Sequence, residues 1–179
     1  MEPADVPALR LPAVVARSLL EGEQVADLRL PSAGGPPPGS RRFWLIPSGD
    51  EPALKPAYRR ARELSLPEEP PPAGHVRVDG WAELVGRGVT GLDAARVAAL
   101  NSKSVLDLDA LATAAGGADI EVLALRAHRL VEPLTVPADL SGLPPDPSGG
   151  KSELVLSDVA FEARLKGLVE ALPSGLSAG

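Results

Sequence analysis

The sequence predicts an α+β fold: a small, mostly antiparallel sheet with an N-terminal and a C-terminal helix packed on it. Three observations lead there. The stretch Ile120 to Val131, IEVLALRAHRLV, is the longest β-branched and apolar run, and Val122 to Leu125 are apolar on both faces of a two-residue period, as in a strand covered on both sides. QVADLRL and HVRVDGWAEL alternate as strands with one wet face. Near the end, Phe161, Leu165, Leu168, Val169 and Leu172 share one helical face between Ser157–Asp158 and Pro173. A chain of 179 residues suits one domain, 1–179, with its own core.

Taken in order, Leu11, Val14, Val15 and Leu19 place an amphipathic helix over Pro12 to Glu21, stopped by Gly22. In the strand that follows, Ala26, Leu28 and Leu30 face one way and Val25, Asp27 and Arg29 the other. PSAGGPPPGS reads as a flexible loop near 31–40, and FWLIP as a return antiparallel to the strand ending at Leu30. YRRARELSL reads as a short basic helix before a second proline-rich loop near 67–74. The third strand, HVRVDGWAEL, would put Val76, Val78 and Ala82 on one face and His75, Arg77, Asp79 and Trp81 on the other.

Thr90 and Asp93 form a capping box for a helix through Leu100 with Asn101 as its stop, and Asp107 caps a second helix that ends at Gly116 and Gly117. The central strand leaves the core at its far end, where Arg126 and His128 lie on the Ile120 face and Arg129 on the other, and Pro133 and Pro137 close it. A loop near 138–150 and the short strand SELVL precede the last helix. Residues 173–179 read as a disordered tail.

Composition weighs against nucleic-acid binding without excluding it, and excludes cysteine chemistry. The formal charge of -6 opposes a surface that tracks phosphates, and five aromatic residues (Phe43, Trp44, Tyr58, Trp81, Phe161) are too few for base-stacking platforms. Without cysteine there is no disulfide, thiolate metal site or thiol nucleophile. MEPADVPALRLP has acidic residues where a secretory leader carries basic ones, and no stretch is long and uncharged enough to span a bilayer. A cytoplasmic protein without membrane contact is expected.

Three stretches resemble a bacterial domain-of-unknown-function family, number 1802. They are the helix followed by GEQVADLRL, the segment FWLIPSGDEPALKPAY, and VLALRAHRLVEP with its Arg-x-x-Arg-Leu pattern. A fourth, SGGKSELVLSDVAFEARL, is similar to that family's Gly-Cys-x-Ser-Trp loop and final helix. The chain departs from the pattern where Gly150 and Glu153 replace the Cys and Trp, and where NSKSVLDLD stands in place of a Trp and His. The resemblance implies a divergent member; if the family has a polar site there, this member has lost it, and the family name implies no activity.

No catalytic set is complete, and no catalytic or metal-binding residue is assigned. GGKS at Gly149 to Ser152 has the letters that end a phosphate-binding loop, but Pro145 stands at the first glycine and a strand candidate follows instead of a helix. GLSAG lacks the strand and helix of a hydrolase elbow. GVTGLDAARVAAL with SVLDLDALATAAGG has a faint helix-hairpin-helix pattern in which Asp93 would repel a phosphate. Arg59, Arg60 and Arg62 read as a solvated helix face. His75 and His128, the only histidines, would need carboxylates such as Asp79 to hold a metal. No lysine has an acid two positions before it, as a magnesium nuclease of this topology would require.

The expected function is a non-catalytic binding or accessory module. Arg126, His128, Arg129, Lys151 and Ser152 are its candidate binding residues, and no cofactor is expected. Its partner would be another protein or a second copy of the chain. The alternative is a diverged nucleic-acid-processing protein of nuclease-like fold, with Asp27, Asp79 and Arg126 meeting in one cleft.

Overall fold

A computed structural model of the chain describes residues 6–36, 39–48 and 69–178, and its fold is α+β. The strands are β1 (Ala8–Pro12), β2 (Ala26–Arg29), β3 (Arg42–Ser48), β4 (His75–Thr90), β5 (Ile120–Pro137), β6 (Ser152–Leu154) and β7 (Ser177–Ala178). The helices are α1 (Ala13–Leu20), α2 (Ala94–Leu100), α3 (Leu108–Ala115) and α4 (Asp158–Ala171). The order β1-β3-β4-β5-β2 forms one sheet, with β6 added to β5 and β7 to β4. The β1–β3 pair is parallel and the others are antiparallel, as a mostly antiparallel sheet requires.

The long β4–β5 ribbon is the spine. Ile120 through Ala124 are 0 % exposed at every apolar position, so this strand is covered on both faces as its sequence predicts. Leu20 of α1 lies against Gly80 on one face, and Leu172 and Leu176 lie against Gly88 on the other. The N- and C-terminal helices therefore pack on opposite sides. On the α1 side, Leu9, Leu11, Phe43, Leu45, Ala82, Leu84, Leu125 and Ala127 fill the main core. A second cluster, with Trp44, Ile46, Val78, Trp81, Leu130 and Val136, is covered by Leu143 of the 138–150 loop.

Helix ends follow their caps. Asp107 accepts from the N–H groups of Asp109 and Ala110, and Gly116 closes α3 in the left-handed region at φ 60°, where a Cβ would be strained. Ser157 accepts from Ala160 N–H to open α4. The Thr90 capping box does not form: Asp93 itself caps α2 by accepting from Arg96 N–H at 2.8 Å, so that helix starts one turn later. Val169 is 39 % exposed and stands off the buried face of α4, while Phe161, Leu168 and Leu172 are buried.

The sheet departs from the sequence reading in its pairings. Ala8–Pro12 forms an unforeseen strand, because its backbone pairs with distant β3 and no local signal marks it. β3 does not return along β2; it pairs with β1 and β4, and β2 pairs with β5. β2 has no wet face, since Asp27 (1 % exposed) and Arg29 (5 %) are buried against each other. β5 continues to Pro137, because the residues between Arg129 and Leu134 bulge out of the β4 ladder and Pro133 among them has no ladder N–H to lose. The same irregularity, between Val78 and Gly80, places Val78 and Trp81 in one cluster and Ala82 in the other, against strict alternation. Ser177 and Ala178 pair with Arg87 and Gly86 where a disordered tail is expected. The expected helix over YRRARELSL lies outside the described residues.

Arg29 joins the two ends of the sheet. Its guanidinium donates to Asp27 Oδ2 at 2.7 Å, to Gly34 O at 2.6 Å and to Arg10 O on β1 at 2.8 Å. Removing one partner of a buried pair strands the other charge, so Arg29→Leu is expected to cost about 3–5 kcal/mol in urea unfolding, and adding Asp27→Leu to recover part of the loss. Gly80 is constrained differently: a Cβ there would sit 2.3 Å from His128 O and 2.4 Å from Leu20 Cδ2. Because backbone cannot yield as a side chain does, Gly80→Ala is expected to lower stability by about 1–3 kcal/mol, read from the urea midpoint.

Candidate functional site

Residues opposite one another on an antiparallel ladder share a face, so the register builds the site. One row runs Trp44, Trp81, His128 and Leu154 across β3, β4, β5 and β6. The next runs Arg42, Glu83 and Arg126. Both rows lie on the α4 side, where the second cluster gives way to solvent between α4 and the 138–150 loop.

The side chains are closely engaged. Trp81 and His128 stack at 3.8 Å between centroids and 4° between planes. Trp81 Nε1 donates to Ser152 Oγ at 3.1 Å, and Trp44 Nε1 to Pro144 O at 2.9 Å, so both indoles are fixed at their polar ends. Arg42 donates to Glu83 at 3.1 Å and to Ser148 Oγ at 2.9 Å. Arg126 pairs with Asp158 at the start of α4, with its guanidinium carbon 5.2 Å from the Phe161 ring centroid.

Two nitrogens in this arrangement are buried with no hydrogen-bond partner among the described residues: Arg126 Nε and His128 Nε2. They belong to residues two apart on one strand face. The nearest carboxylate oxygen to His128 Nε2, Glu83 Oε2, is 3.9 Å away, beyond hydrogen-bond length. Leu154, 47 % exposed, and Val159, 83 % exposed, add apolar surface on β6 and the first turn of α4.

Of the residues expected at the site, Arg126, His128 and Ser152 are brought together. Arg129 points to the other face, as its alternation predicts, and donates to Leu20 O at 2.5 Å, where a cation suits the carbonyl end of α1. Lys151 is exposed at the start of β6. The nuclease-like set does not assemble. Asp27 lies opposite Leu123, on the face away from Arg126, and is locked to Arg29. Asp79 pairs with Arg77 at 2.8 Å, and Arg126 with Asp158. Sequence reading missed Arg42, Trp81, Glu83, Asp158 and Phe161 as members of the site. Their alternation was visible; the register that gathers them was not.

No protein-family model matches the chain, and no curated protein matches it. Among solved structures the chain is similar to a crystal structure of a ZmASCH mutant protein from Zymomonas mobilis, at 14% identity and a TM-score of 0.40, with 90% of this chain and 96% of that chain covered. A likeness that loose carries no functional argument.

Burial against Trp81 pushes the His128 pKa below its ordinary value of 6.5; Glu83 opposes the shift, while Arg126 and Arg42 add to it. The unfolded chain therefore binds the proton more readily, so stability rises with pH through the window below 6.5 and is lost as pH falls through it. His128→Gln is expected to flatten this dependence, seen as a smaller difference between urea midpoints at about pH 5 and about pH 7.5.

Proposed function

We propose that this protein is a non-catalytic binding module whose partner docks on the face between α4 and the 138–150 loop. The pair of unpartnered nitrogens, Arg126 Nε and His128 Nε2, carries this reading. Arg126 Nε is a buried donor and His128 Nε2 a buried ring nitrogen; leaving such a group unpaired costs about 1–3 kcal/mol, and that cost is recovered when a partner supplies its hydrogen-bond mate. Arg42, 49 % exposed, and Glu83, 35 % exposed, are the side chains a partner would redirect, and Leu154 and Val159 supply apolar contact beside them. The fitting occupant is a protein segment that presents a carboxylate or backbone carbonyl next to an apolar side chain.

We also propose that the chain is a divergent member of the bacterial domain-of-unknown-function family 1802. In support, GEQVADLRL leads into β2, VLALRAHRLVEP lies within β5, and SGGKSELVLSDVAFEARL spans β6 and the start of α4. That family name adds no activity to the reading.

The test is capture of the tagged full chain from a native lysate at low and high salt, beside a Leu154→Asp, Val159→Asp double variant. A stoichiometric protein that survives high salt and is lost with the variant is the expected result. A salt-sensitive nucleic-acid fraction retained by the variant would replace this reading with the nucleic-acid alternative, because phosphate contacts weaken steeply with salt.

A further inference from the structure

A second polar concavity lies away from the proposed docking face. It is a pocket of about 80 Å³ where the Glu23–Ala26 segment, the turn at Ser102 and Lys103, and α4 at Arg164 and Leu168 come together. Its volume is several times the ~10–15 Å³ that one water requires. We propose that it is a binding site for a small oxyanion, a phosphate or a carboxylate group.

The walls are preorganised. Gln24, 3 % exposed, is held at both ends of its amide: Nε2 donates to Ala26 O at 2.7 Å and Oε1 accepts from Val105 N–H at 2.9 Å. These two bonds fix the amide plane, so Gln24 forms a fixed wall. Leu168, 0 % exposed, gives an apolar floor. Arg164 is tethered by one nitrogen, NH1, which donates to Glu23 O at 2.6 Å, and the rest of its donor fork remains available.

Lys103 supplies the second cation. Its ammonium has no hydrogen bond or ion pair among the described residues. It lies against α4 at Gly167, where a Cβ would stand 3.2 Å from Nζ, so the glycine makes room for the charge beside the helix. Ser102 adds a hydroxyl that can donate. Against these two cations stands one carboxylate, Glu23, which leaves the pocket with an excess of one positive charge on a chain of net charge -6. Two cations on separate elements, a hydroxyl and little room match a single oxyanion group and leave no space for a nucleoside.

Calorimetric titration of the full chain with inorganic phosphate, and separately with acetate, tests the site. Saturable one-to-one binding near the millimolar range is expected, a weak affinity suited to a few charge-assisted hydrogen bonds. Lys103→Met should weaken it by roughly tenfold, and Glu23→Gln should tighten it by roughly threefold, both with unchanged unfolding midpoints. Preference for phosphate over acetate identifies a phosphate group as the ligand, and the reverse identifies a carboxylate. Absence of saturation with either probe, or binding that neither variant alters, overturns the proposal. Glu23→Gln keeps the test decisive should Lys103→Met perturb folding.

Discussion

The buried Asp27–Arg29 pair is the interaction on which the rest of the sheet depends. β1 and β2 stand at opposite ends of the strand order, and no strand lies between them to complete a ladder. The guanidinium of Arg29 takes that place: it spans from β2 to a backbone carbonyl of β1 and to another in the loop at Gly34, with Asp27 neutralising its charge. Burial holds the Asp27 carboxyl above its ordinary range and Arg29 offsets part of that rise, so each group makes the other's burial more tolerable. Because α1 connects the same two strands, the tie also fixes where α1 crosses the sheet. The end of α1 then meets Arg129 and Gly80 on the ribbon.

From that frame the β4–β5 ribbon distributes its faces by two irregularities. Between Leu84 and Gly86 an extra residue, Val85, enters β4, and between Val78 and Gly80 the larger slip lies on β5. Such bulges twist a strand and redirect its side chains. The second brings Trp81 onto the same side as Val78 and sets it directly opposite His128, which creates the indole–imidazole stack. Without it, strict alternation would separate Trp81 from the cluster that anchors it.

The polar face thus combines buried and more exposed side chains. Trp44 and Trp81 are held by hydrogen bonds at their indole nitrogens, and Arg126 by Asp158 and the Phe161 ring. Arg42 and Glu83, more exposed, carry less energy because water screens exposed pairs. The same burial that leaves His128 Nε2 without a partner disfavours its protonated form. Stability is therefore linked to pH through one ring.

The sequence by itself determined what depends on near neighbours. The doubly covered stretch of β5, the caps at Asp107 and Ser157, the glycine stop after α3, the short strand β6 and the opposite facing of Arg126 and Arg129 all follow from local periodicity and local hydrogen bonds. Only the tertiary structure decided what depends on register between distant segments. The parallel pairing of Ala8–Pro12, the burial of Asp27 and Arg29, the slip that turns Trp81 beside Val78, and the gathering of Arg42, Glu83 and His128 on one face all depend on how distant segments pair. Periodicity of two specifies which side a residue takes within its own strand; it does not specify which strand lies alongside, and a bulge can reset even that side.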